Sequence, residues 1–244
     1  MNRWLALLVL VPLLASAQEK SETKELYGQF GSRGALLVLN ATERPDGGWQ
    51  VAGEYVLLDT LVRRFVEGER SPQLGVTTLK EGTSAILYGR PPTAELRGTW
   101  HEGVFRGTRY GPGGQERERF EFSERLPSME RYSAAVRCEA GGARYESSLA
   151  YVFEAGKLKP GSFEWRSRAG SAACAVSGLE QQPLSDGLRL AAGSCRVTLR
   201  ELGDYVKIAA EHCEARCAAE GAFEPLLVDR RGQCRLLRPE IRQQ

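Results

Sequence analysis

Val104–Phe122 reads VFRGTRYGPGGQERERFEF, two short β-prone runs on either side of the turn signal Gly111-Pro112-Gly113-Gly114. In the second run Arg117, Arg119 and Glu121 fall on one face of an extended chain, and Phe120 and Phe122 fall on the other. That is the pattern of a strand with one face in a core and one in water. The same grammar extends N-terminally: Ala35–Leu39, Gly48–Leu61, Gln73–Leu79, Ala85–Tyr88 and Ala94–Trp100 are apolar or alternating runs. Turn chemistry separates them at Pro45-Asp46-Gly47-Gly48, Glu81-Gly82, Pro91-Pro92 and Glu102-Gly103. Strands at such spacing predict a mainly β protein whose N-terminal half is an antiparallel barrel or sandwich.

Glycines stand shortly before rings in Gly53-Glu54-Tyr55, Gly98-Thr99-Trp100 and Gly107-Thr108-Arg109-Tyr110. Two uses fit. One is corner-turning in a small closed sheet, the plainer reading; the other is an aromatic-lined mouth for an apolar or sugar ligand. Gly28, Gly31 and Gly34 lack the spacing and the following helix of a dinucleotide fingerprint.

Toward the N-terminus, Arg3, the apolar run Leu5–Leu14 and Ala15-Ser16-Ala17 form a secretory signal, with Gln18 the expected first residue after cleavage. The run is well short of the ~20 residues of a spanning helix. Residues 1–17 are therefore expected to be a signal peptide, 18–127 a cysteine-free antiparallel β unit, and 128–244 a disulfide-stapled β-rich unit with a short helix. The Arg-rich, Asn-poor composition suggests a bacterial source, hence the periplasm or the exterior. The 33 basic residues lose only Arg3 with the leader and face 31 acids, a balance that gives no general pull toward nucleic acid.

All six cysteines lie between Cys138 and Cys234. An even count in an exported chain predicts a disulfide framework, whose connectivity sequence alone leaves open. Folding the chain about Pro183–Gly187 sets Cys174 opposite Cys195. Ile208–Ala219 is rich in helix formers, and on a regular helix Cys213 and Cys217 share a face too widely spaced to bridge each other. They would then reach Cys138 and Cys234, as Cys138–Cys213 and Cys217–Cys234. An irregular turn there restores the local bridge. The metal alternative, with His212, Cys213, Cys217 and Cys234 as ligands, fits zinc spacing poorly, so no metal or cofactor is expected.

Only His101 and His212 could serve as imidazole acid–base groups, and no nucleophile-elbow or zinc-protease motif is present. The reading leans away from catalysis and names no catalytic residue. Arg230, Arg231, Arg235 and Arg238 form a candidate binding surface. Around Cys213-x-x-x-Cys217 and the apolar run after it, the C-terminal third resembles disulfide-stapled Gram-negative periplasmic envelope proteins. In outline the chain is also similar to small periplasmic lysozyme inhibitors, without their inhibitory loop motifs. The resemblance implies export and a stapled tail. The expected function is an exported, non-enzymatic binding or envelope-associated protein, whose partner is an envelope protein or a cell-wall component. The alternatives are an inhibitor of a lytic enzyme and a small-ligand carrier using the N-terminal sheet.

Overall fold

The computed structural model describes residues 20–83, 91–142, 145–182, 184–218 and 223–237. The expected strand Ala85–Tyr88, Pro183 and Arg238 lie outside them.

The first half is a closed, up-and-down antiparallel barrel of eight strands: β1 (Ser21–Phe30), β2 (Arg33–Glu43), β3 (Trp49–Leu57), β4 (Arg63–Arg70), β5 (Val76–Gly82), β6 (Ala94–His101), β7 (Val104–Tyr110) and β8 (Glu116–Ser123). β1 closes the ring by pairing with β8, Phe30 against Phe120. A barrel of eight strands is just wide enough for side chains to fill. Here the filling is Leu26, Leu37, Leu39, Leu79 and Leu96 around packed rings. Phe30 lies 4.7 Å from Tyr55 and Phe105 lies 4.8 Å from Phe120, centroid to centroid.

Closure at this radius needs sharp bends, and glycines supply them. A β-carbon on Gly107 would come within 1.9 Å of the Arg97 carbonyl, where Gly107 pairs with Gly98. Gly28, Gly53 and Gly68 face neighbouring carbonyls just as closely. Corner-turning therefore explains the glycine-before-aromatic pattern. β1 and β4 were not among the strands expected from the sequence. Both are dense in charge, and the barrel pairs them through backbone hydrogen bonds that charge density does not prevent.

The second half is a two-sheet sandwich. One sheet contains β9 (Ala134–Gly142), β10 (Tyr145–Glu154), β11 (Lys157–Leu158), β12 (Glu164–Ala169), β13 (Ala172–Ser177) and the two-residue β18 (Cys217–Ala218). The other contains β14 (Glu180–Gln182), β15 (Leu188–Ala192), β16 (Cys195–Leu202), β17 (Tyr205–Glu211), β19 (Leu226–Asp229) and β20 (Cys234–Leu236). Trp165, Tyr151 and Phe153 of the first sheet share one core with Leu190, Val197, Leu199 and Ile208 of the second.

The expected helix over 208–219 is absent from this region. β17 runs to Glu211, and a single 3₁₀ turn, Glu214–Arg216, carries the chain to β18. Ile208 is paid into the sheet by pairing with Leu199 and Leu226, so tertiary pairing overrides the local helix propensity.

With the helix goes the expected disulfide map. The bridges are Cys138–Cys234, Cys174–Cys217 and Cys195–Cys213, so Cys174–Cys195, Cys138–Cys213 and Cys217–Cys234 do not form. The hairpin centred near Ser185 exists, with Gln181 opposite Leu190. It ends at Glu180, because Gly178, at φ +64°, turns the chain out of the first sheet, where Cys174 remains. Every sulfur of the metal alternative is thus bound to another cysteine.

The two units meet across Leu36, Val56 and Leu58 of the barrel and Leu202, Leu227 and Leu237 of the sandwich. That contact explains why Ala35–Leu37 is apolar without alternation: one face fills the barrel and the other docks on the sandwich. Lys207 pairs with Glu25 at 2.5 Å, and a β-carbon on Gly203 would lie 2.1 Å from the Tyr27 hydroxyl.

Candidate functional site

Three places concentrate polar chemistry. The first is the barrel end where β5 carries Glu81, β7 carries Arg109 and Thr93 stands just before β6. Alternation along β5 turns Thr77, Leu79 and Glu81 inward, and all three are fully buried. Glu81 accepts from Tyr55 Oη at 2.7 Å, Thr93 Oγ1 at 2.9 Å, and Arg109 Nε and Nη2 at 2.7 and 2.9 Å. Burial alone would push this carboxyl up. The Arg109 fork and the Tyr55 hydroxyl outweigh it and hold Glu81 below the usual carboxylate range. Burial, then the Glu81 charge, drive the Tyr55 phenol well up. Glu81 is an ionised, fully satisfied acceptor, which makes this a structural ion pair plugging the barrel end.

The second is the expected arginine surface, of which the structure describes Arg230, Arg231 and Arg235. Arg230 and Arg231 line a cleft of about 470 Å³ together with Tyr132, Glu201, Asp204 and Asp229. Arg230 pairs with Asp204 at 2.8 Å, and the Arg231 N–H donates to Asp229 Oδ1. Arg235 turns inward, donating to the Leu58 and Asp59 carbonyls at 2.8 and 3.0 Å over the Tyr205 ring. The described arginines tie turns and units together through these contacts. His101 sits on the exposed β6–β7 turn beside Glu102, and the exposed His212 follows β17.

The third is a groove of about 760 Å³ on the outer face of the first sandwich sheet. Strand register builds it. One row across the sheet is Gly141, Glu146, Arg168, Ala173 and Ala218; the next is Glu139, Ser148, Arg166 and Ala175. The inward alternates of the same strands, Trp165, Cys174 and Val176, are core. Trp165 Nε1 donates to Ser147 Oγ at 2.8 Å just beneath the groove. Over β13 the floor is alanine, flanked by Arg166 and Arg168 on one side and Arg216 on the other. Arg166 is held by Glu164; Arg168 and Arg216 have no ion-pair partner among the described residues.

Sequence reasoning missed this groove and Glu81. The signals were present: Ala173, Ala175 and Ser177 make one face of β13 uniformly small, and Glu81 continues the inward phase of Thr77 and Leu79. Comparison of the chain with protein-family models, curated proteins and solved structures finds no match. Three disulfides suit an oxidising compartment, and no helix among the described residues is long and apolar enough to cross a membrane.

Proposed function

We propose that this chain is an exported, non-enzymatic binding protein of the bacterial periplasm or envelope, and that the outer groove of the stapled sandwich is its binding surface. The observation that carries the reading is the groove itself: a concave sheet face with a small-residue floor, rimmed by Arg168 and Arg216, which have no ion-pair partner among the described residues. The Cys174–Cys217 bridge supports it from beneath. Concavity with a few convergent polar groups is how binding sites are commonly built. Elsewhere the strongest ionisable cluster, around Glu81, is neutralised internally, and rings and leucines fill the barrel. The filled barrel weighs against the carrier alternative.

The test is site-specific photocrosslinking in cells that express the full chain. A crosslinking residue replaces the exposed Ala175 in the groove or, as a control, the exposed Leu74 on the barrel. Discrete adducts from position 175 and none from position 74 are expected, in the envelope fraction. Equal labelling from both positions, or none from position 175, overturns the reading.

A further inference from the structure

Resting on that binding reading, we infer that the groove takes an acidic, extended peptide segment laid along β13. Geometry sets the shape of the occupant. β12 and β18 flank β13 on either side, so the walls stand two strand spacings apart, about 10 Å, which admits one extended chain. The exposed row Ala173, Ala175 and Ser177 runs for about 13 Å, the length of four extended residues. No side chain rises above a methyl or hydroxymethyl group along it, so a backbone can approach closely.

Charge sets its chemistry. Arg168 on β12 and Arg216, in the turn that leads into β18, line the alanine floor from opposite sides of β13, both exposed and both without an ion-pair partner among the described residues. A guanidinium fork matches a carboxylate in bidentate fashion. Among the described residues the groove's acids are Glu139 on β9 and Glu146 on β10, the latter directly across from Arg168, and both lie on the far side of the β12 arginines from β13. Among the described residues the lining holds no aromatic ring on which a sugar would stack, which favours a peptide over a polyanionic glycan.

The experiment uses the purified, oxidised protein and fluorescence anisotropy with three probes: a labelled octapeptide of alternating Glu and Thr, its Lys–Thr counterpart, and polygalacturonate as competitor. The Glu–Thr peptide is expected to bind at least tenfold more tightly than the Lys–Thr peptide. The double variant Arg168→Glu/Arg216→Glu should lose that preference, whereas Arg106→Glu on the barrel should keep it. Arg168 and Arg216 are exposed and have no ion-pair partner among the described residues, so the fold should survive, checked by circular dichroism and the disulfide map. Equal binding of the two peptides, no binding, or indifference to the double variant overturns the inference. Preferential binding of polygalacturonate also overturns it, in favour of a glycan. If position 175 still crosslinks in cells when the peptides fail, only the peptide inference falls; loss of the crosslink removes the binding reading with it.

Discussion

The barrel contains none of the cysteines and the sandwich contains all six, although both bury leucines and aromatic rings of the same kinds. The difference follows from how each sheet ends. Pairing β1 with β8 leaves the barrel without an edge strand, so its ladder is self-terminating. The sandwich sheets stay open, and its bridges stand where their ladders stop. Cys138–Cys234 joins the end strands β9 and β20 of opposite sheets. Cys174–Cys217 pins the two-residue β18 to β13, and Cys195–Cys213 fastens the chain as it leaves β17. Covalent bonds supply the closure that hydrogen bonds supply in the barrel.

The largest effect that would break this comparison is expected from Cys138→Ser/Cys234→Ser. The bridge spans 96 residues of sequence, and its loss should cost about 4 kcal/mol. In urea titrations followed by hydrogen exchange, protection should fall across β15–β17 and persist in β2 and β3. An equal fall in both units would show that the sandwich and barrel are not separately closed.

A smaller loss, about 3 kcal/mol, is expected for Glu81→Gln, because Arg109 would be left buried against a neutral amide. Here the barrel should weaken first. The sign of the pH dependence follows from the depressed Glu81 pKa. Its stabilisation is complete above the unfolded value of about 4.3 and is lost as pH falls below that toward the folded value. Glu81→Gln should remove that part of the acid sensitivity. A variant with an unchanged acid profile would remove the ion pair from the account of barrel closure.

The least effect concerns the seam between the units. Gly203 sits at φ +65° against the Tyr27 hydroxyl, so Gly203→Ala should cost about 2 kcal/mol from backbone conformation and collision together. Adding Tyr27→Phe should restore about 1 kcal/mol by removing the colliding oxygen. Thermal melts of the four-member cycle measure the recovery; strict additivity would mean that the two residues do not meet.

Much of the barrel was legible because Phe120, Phe122 and the Gly-Pro-Gly-Gly turn are local signals. β1 and β4 were hidden, since Ser21–Lys24 and Glu67–Arg70 look like loop by composition and become strand only when neighbours bond them. Export chemistry was legible as an even cysteine count, but pairing was not. It depends on Gly178 passing the chain between sheets, a long-range event with no local signature beyond one glycine. The groove was illegible for a related reason: Arg168, Ala173 and Ala218 are distant in sequence and meet only through register.

The Cys138–Cys234 bridge also decides how the molecule carries load. Tension applied between the barrel and Leu237 passes from Cys138 to Cys234 through sulfur, bypassing the 96-residue loop between them. Roughly 320 Å of contour length stays off the force path. A pulling experiment should therefore register the barrel's extension, while the sandwich is drawn along as a knot of fixed size.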